Sequence, residues 1–505
     1  MKRIIRTLKS VCAAALAAFI LAQLCGCSLF IIETEESGVP GTQTGSPQTS
    51  EETVPLTEPD DTVPSGQRFP ELDVDYSECF AKLQEMRDDD FSSFTLQIRI
   101  SDACNDVIGG SDDFLTEYCE LRNKIVADKF STRDFLIGVQ SEETVKNDLS
   151  ASVKAGTGSF NYFSDLLIVP DRTAGTLAAA GLLMNLRKLP FYESPTGGSA
   201  AAGMNVNSCF VHVSGLTDDI VGTSVLYFNR SIAGEQLSKD MYSKALSDGF
   251  TFEYLLTCIA GLPGKTAEYD ISLSYGTHGI DFLADAAAIR SGFVLAVNEA
   301  GKNPVLAVHE ESETSAMTEL LGKLGKLRLF EADAEDPETE AYAKFVAGKS
   351  AFHLGTVKDI QNIYKERIAW GILPLPYSDG MAGRTENAQY ARPVVTVPSN
   401  NTKATFTGVM LNALDIATGK WIGEGFANKC IEFRLGDNDS FYVLRKILSD
   451  GTYCDFARIY ADSVKGFDEV CYGALRDCIR NGTDFAAKVE TNRKTVDNLL
   501  KNLKK

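Results

Sequence analysis

Tryptophan occurs twice and histidine four times in 505 residues, and both shortages narrow what this chain does. The histidines, His212, His278, His309 and His353, show no HExxH or HxH spacing, so no local framework for zinc exists. No CxxC pair occurs, and no GxSxG elbow presents a nucleophilic serine. Gly261-Leu-Pro-Gly-Lys-Thr266 ends like a phosphate loop, but Ile259 stands where such a loop needs its first glycine. No apolar run reaches the roughly 20 residues of a membrane-spanning helix. With 69 acidic residues, a carboxylate pair is too common to single out glycosidase chemistry. The expectation is a protein without catalysis, cofactor or metal.

The chain does have a basic start, Lys2, Arg3, Arg6 and Lys9, followed by the uncharged run Val11 to Leu24. That is the layout of an export signal. Leu24-Cys25-Gly26-Cys27 closes it and resembles the bacterial lipobox, which implies cleavage before Cys27 and acylation of its thiol. Residues 1–26 are therefore read as a lipoprotein signal peptide. Their loss takes the formal charge from −20 to about −24, which repels nucleic acid and anionic headgroups. Residues 27–74 read as a disordered acidic tether. Within them, Ser28 to Gly66 holds five Pro, seven Thr and eight acidic residues but no Lys or Arg. Such a stretch buries too little apolar surface to offset its ordering entropy.

Nine cysteines remain beyond the signal and Cys27, an odd number that argues against a disulfide framework. Most sit among apolar neighbours and read as buried thiols, with Cys471 and Cys478 left open as one disulfide.

From Asp75 the pattern becomes an alternation. Helices are expected over Tyr76–Arg87, Asp113–Phe130, Glu142–Ala155 and Ala174–Leu186. Strands are expected over Phe94–Ile100, Phe135–Val139 and Asp165–Val169. This is an α/β lobe with a mainly parallel sheet. A second region begins near Thr223. It has a strand at Val225–Phe228 and a helix over Tyr242–Ala260, broken at Asp248-Gly249. A hairpin (Phe293–Val297, Val305–His309), helices at Ser312–Leu324 and Glu338–Val346, and strands at Ile368–Leu373 and Arg392–Val397 follow. The tail from Phe441 reads as mostly helical.

Several of these segments look familiar in order. Val225-Leu-Tyr-Phe-Asn-Arg230, Asp240-Met-Tyr242 with Asp248-Gly-Phe-Thr-Phe-Glu253, Phe345-Val-Ala-Gly-Lys-Ser-Ala-Phe352, Trp370-Gly-Ile-Leu-Pro-Leu-Pro376 and Arg392–Pro398 with Asn400-Asn401 form the set. Together they resemble the extracellular solute-binding proteins, the maltose-binding-protein-like receptors of ABC importers. The resemblance implies an α/β, two-lobe type II periplasmic-binding-protein-like fold with discontinuous lobes and a hinge. Lobe 1 would comprise 75–211 with 392–429, and lobe 2 would comprise 212–391 with 430–505. It implies capture of a small solute, with sugar favoured, for a membrane permease. The protein would be a lipid-anchored monomer on the outer face of the cell membrane, with no nucleic-acid partner. Where relatives carry paired aromatics, this chain has Phe191-Tyr-Glu-Ser-Pro-Thr-Gly-Gly198. Another small polar solute, or a sensory or glycan-adhesion role without transport, stays open beside the sugar reading, and an anchored hydrolase is the remaining alternative.

Ligands of open α/β sheets meet the loops beyond the carboxyl ends of strands. The candidates there are Asp102 and Asn105 for hydroxyls, Tyr275 and Tyr390 for stacking and Arg392 for an anionic group, with Asp171, Thr277, His278 and Thr356 beside them. His278 serves equally as a helix cap.

Overall fold

In this computed structural model the described residues are 74–107, 115–133, 135–156, 164–193, 216, 218–262, 273–275, 279–298, 304–307, 310–326, 337–381, 383–389, 392–432, 435, 437–453, 455–463 and 466–502. The signal, Cys27 and the tether as far as residue 73 lie outside them.

Two four-stranded sheets organise the rest. In the first, β1 (Gln97–Ser101) runs parallel to both β2 (Leu136–Gln140) and β3 (Leu166–Pro170). A strand from far along the chain, β10 (Pro393–Thr396), pairs antiparallel with β3, setting Val394 opposite Val169. The alternation of side chains sorts this sheet's residues to two faces. Ile98, Ile100, Leu166 and Ile168 pack with Phe406, Val409, Met410, Ala413 and Leu414 of the helix Ala404–Thr418. Leu167 and Val169 turn the other way, into the core shared with Val145, Leu149, Ala174 and Leu177. Burying each such aliphatic side chain contributes about 1.5–3 kcal/mol. Helices on both faces explain why β3 is buried along its whole length.

The second sheet has β4 (Ser224–Asn229) antiparallel to β8 (Phe352–Thr356) on one side and to β9 (Trp370–Pro374) on the other. A short β5 (Leu273–Tyr275) extends it parallel to β8. The helices Arg230–Leu246 and Asn438–Asp450 pack on β9, and Pro337–Val346 packs on β5 and β8. The hairpin is short, β6 (Ala296–Val297) against β7 (Val305–Leu306).

The chain passes between the sheets more than once, and the passages hold one another. Thr223 bridges to Gln389, and Asn387 bridges to Thr452. The Asn387 side-chain amide donates to the carbonyls of Ile447 (2.9 Å) and Gly451 (3.0 Å). Gly451 has φ of 66°, a left-handed conformation that favours glycine just after a helix end.

Several expected elements shift. The helix expected over Ala174–Leu186 is Asp171–Ala179, ended before Gly181 at φ 72°. The helix expected from Tyr242 begins a dozen residues earlier at Arg230, because the Asn229 side chain accepts the N–H groups of Ser231 and Ile232. Gly234 (φ 76°) kinks it early, which hides its period in the sequence. The break at Asp248-Gly249 is real and separates it from Phe252–Gly261. Phe94 belongs to no strand; it stacks on Phe406 with ring centroids 5.0 Å apart. The helical tail starts at Ala404, well before Phe441. Cys471 and Cys478 are free thiols, so the disulfide left open between them is absent.

Candidate functional site

Both sheets offer strand ends to the side where the chain crosses. On the first sheet these are the carboxyl ends of β1, β2 and β3 together with the start of β10. On the second they are the carboxyl ends of β5, β8 and β9 with the start of β4. The loops at these two edges make up the candidate site.

On the first edge Asp102 follows β1 directly and is exposed. Its Oδ1 accepts the Ala103 N–H (3.0 Å) and the Ser101 hydroxyl (3.4 Å), leaving Oδ2 open to a hydroxyl donor. Asn105 lies in the same short helical turn, Asp102–Val107, which is kinked at Cys104. Expected on an open loop, Asp171 instead opens the helix after β3 and is only 4% exposed. Its N–H donates to the Arg392 carbonyl (2.8 Å), so the structure brings these two candidates together. Its Oδ1 accepts the Arg172 N–H (2.9 Å), and Arg458 Nε stands 3.5 Å from its Oδ2. Burial pushes this carboxyl up, and Arg458 pulls it partly back. So placed, the carboxylate anchors the start of the helix. Arg392 is likewise buried, and its Nη1 donates to the Thr452 carbonyl (3.0 Å). It ties one crossing segment to another, where an anion-pairing role was expected.

On the second edge Thr356 ends β8 as the cap of a helical turn. Its N–H (2.7 Å) and hydroxyl (3.3 Å) both donate to Asp359 Oδ2, and its carbonyl accepts the Tyr227 hydroxyl (2.6 Å). Tyr275 ends β5 on the same edge, opposite Leu354 of β8. Thr277, His278 and Tyr390 lie outside the described residues, as do His212, His309 and the Lys265-Thr266 segment.

His353 is described, and it is buried between aromatic rings. Phe345 stacks on it at 5.4 Å, and burial pushes its pKa down to about 3. Such an imidazole is a neutral core residue. Both tryptophans are buried, so neither presents a stacking face to a solute. Phe191 is exposed with the Arg87 guanidinium 4.1 Å above its ring, and the Tyr192 hydroxyl donates to Asp415 (3.3 Å).

Beside Asp171 lies a charged cluster that spacing along the chain gave no means of assembling. Arg458 reaches Asp171 on one side and Asp285 on the other (Nη1 to Oδ2, 3.4 Å). Asp285 also receives a two-pronged contact from Arg476, at 3.0 and 2.6 Å. Arg476 continues to Asp468 (3.0 Å), while Arg172 grips Asp462 (2.8 and 2.5 Å). Paired prongs of this kind are among the stronger hydrogen bonds a protein makes. Burial pushes the Asp285 carboxyl up, and Arg476 and Arg458 oppose it. One signal was present in the sequence: Asp285 is a lone carboxylate inside the apolar run Phe282–Ile289, and a buried charge requires a partner.

The cluster holds segment 455–463 against the helix Asp171–Ala179. Phe456, Ala457, Ile459 and Tyr460 are buried there, and a Cβ on Gly175 would overlap the Ile459 carbonyl oxygen. Among the described residues no group of His, Cys, Asp and Glu is placed to hold a metal ion.

No family model matches the chain, and no curated protein matches it in sequence. Solved structures do share its fold. The GacH receptor of Streptomyces glaucescens, solved unliganded and with acarbose, aligns over 81% of this chain and 99% of its own at a TM-score of 0.50 and 14% identity. The galacto-N-biose-/lacto-N-biose I-binding protein of the Bifidobacterium longum ABC transporter aligns over 82% and 99% at 0.49 and 12%. The maltose-binding protein MalE of Listeria monocytogenes aligns over 81% and 97% at 0.47 and 14%. The chain has the two-lobe fold of the extracellular solute-binding proteins.

Proposed function

We propose that this protein is a lipid-anchored receptor on the outer face of the cell membrane, which captures a small solute, a sugar by preference, for an ABC importer. The observation that supports it most is the fold it shares with the GacH receptor, together with two sheets whose strand ends meet the crossing segments. Two lobes that close on a solute report its presence as a change of shape, which a membrane partner can read. Lobe 1 comprises 75–211 with 392–429, and lobe 2 comprises 212–391 with 430–505. Asp102, Asn105, Tyr275, Thr277, His278 and Tyr390 are the solute contacts in this reading, while Asp171, Thr356 and Arg392 hold the framework around them. Cys27 carries the acyl chains. The burial of both tryptophans favours a second reading, a sensory or glycan-adhesion lipoprotein that keeps the fold without transport.

A thermal-shift screen of the chain from Gln67 onward tests the solute. A ligand at 100 times its dissociation constant stabilises the folded state by about 2.7 kcal/mol, a readable shift in melting temperature. The expected outcome is a rise with one or a few members of a sugar panel. A rise with amino acids or peptides and none with sugars overturns the sugar assignment.

A further inference from the structure

A small pocket of about 110 Å³ lies in the second lobe, lined by Asp248, Arg290, Pro374, Tyr377, Arg384, Lys446 and Asp450 among others. Its volume is that of roughly four waters, too small for a sugar-sized ligand. Arg290 is 6% exposed, yet it makes no ion pair with any described residue. Its Nε donates to the Leu375 carbonyl (2.9 Å), and Nη1 donates to the carbonyls of Thr385 (2.6 Å) and Glu386 (2.8 Å). Nη2, which carries two more N–H donors, bonds to no described atom. Arg384 also lines the pocket. Its guanidinium stacks 3.8 Å over the Tyr453 ring, and its Nε is buried without a hydrogen-bond partner.

The pocket's two carboxylates are spent on its third cation. Lys446 stands 2.8 Å from Asp248 and 2.9 Å from Asp450. Three cations against two anions leave one net positive charge, concentrated on two arginines whose forks retain open donors. Burial pushes the Arg290 pKa down to about 10, against the pull of Asp450, Asp248 and Glu386, none of which forms an ion pair with it. Planar arginine forks match the oxygens of tetrahedral oxyanions.

We infer that this pocket binds a small oxyanion, inorganic phosphate or sulfate, between Arg290 and Arg384. The bound ion joins the end of β9 and the loop 375–386 to the end of the helix Asn438–Asp450, next to the crossing at Asn387. The proposed binding rests on these side chains alone and does not depend on the solute assignment.

Isothermal titration calorimetry of the chain from Gln67, at constant ionic strength, tests it with sodium phosphate, sodium sulfate and sodium chloride. The expected result is saturable one-to-one binding of phosphate, sulfate or both, with none for chloride. Preference between the two oxyanions identifies the natural source. Calorimetry is the appropriate readout because both salts raise melting temperatures non-specifically by exclusion from protein surfaces. Arg384→Gln, at a half-exposed position, is expected to weaken binding at least tenfold with an unchanged circular dichroism spectrum. Arg384→Lys keeps the charge but loses the fork, and it too is expected to weaken binding. No saturable heat with either oxyanion, or equal affinity in both variants, overturns the inference.

Discussion

His353 shows how one side chain can look like chemistry in a sequence and be packing in the fold. Its ring lies among Phe345, Tyr227 and Tyr342, and burial alone pushes its pKa to about 3. The unfolded chain takes up a proton near pH 6.5, while the folded chain does not until near pH 3. Stability is therefore full above about 6.5 and falls as pH drops through that window, by roughly 1.4 kcal/mol per unit from this group. His353→Leu removes the effect. Chemical denaturation at pH 6 and pH 5 is expected to show the wild type losing about 1 kcal/mol more than the variant over that step, since the carboxylates titrate alike in both. An identical loss in the two proteins would contradict a neutral buried imidazole. Asp285 illustrates the converse, a charge that is buried because two arginines meet it. Asp285→Ala leaves Arg458 and Arg476 without that partner, and removing one side of a buried pair costs about 3–5 kcal/mol. A shift of the urea midpoint too small to account for 1 kcal/mol would show that water already screens the cluster.

Among the elements, those with an even hydrophobic period were legible and those shaped by a single backbone or capping event were not. Glu142–Ala155 was readable to the residue, because Ser141 caps it and Gly156 follows it. Arg230–Leu246 was not, because Gly234 at φ 76° breaks its period within two turns of the Asn229 cap. The helices between Ala404 and Glu432 are apolar on most faces, and such a pattern lacks the one-sided stripe that marks a surface helix. At the candidate site, strand ends were readable from the alternation. The engagement of Asp171 was not, because Arg458 reaches it from a helical turn nearly three hundred residues away. The packing of that turn on the helix Asp171–Ala179 carries its own test. Gly175 touches the Ile459 carbonyl so closely that Gly175→Ala must force the two elements apart. Overpacking of this kind costs about 1–3 kcal/mol. Since helix propensity alone makes Ala the better residue, a stabilised G175A protein would disprove the contact.

At the scale of the molecule, the proposed anchor and the folded part can be tested apart. Membrane attachment rests on Cys27 in the proposed reading, and each buried methylene of an acyl chain is worth about 0.8 kcal/mol. Cys27→Ser is expected to move the protein from the membrane fraction to the medium while leaving its melting temperature and solute binding unchanged. Retention of the C27S protein on membranes would locate the anchor elsewhere. Joining the sheets asks more of the chain than anchoring it does. Val169 finds its partner only in Val394, and the whole second sheet lies between them. A polypeptide threaded outward through a membrane amino end first therefore exposes β3 with one edge unpaired until residue 396 has crossed. The first lobe is thus completed last, after the second can already have formed. In the proposed reading, edge pairing between such half-finished chains, more than the loss of any single contact, is the hazard this topology carries during export.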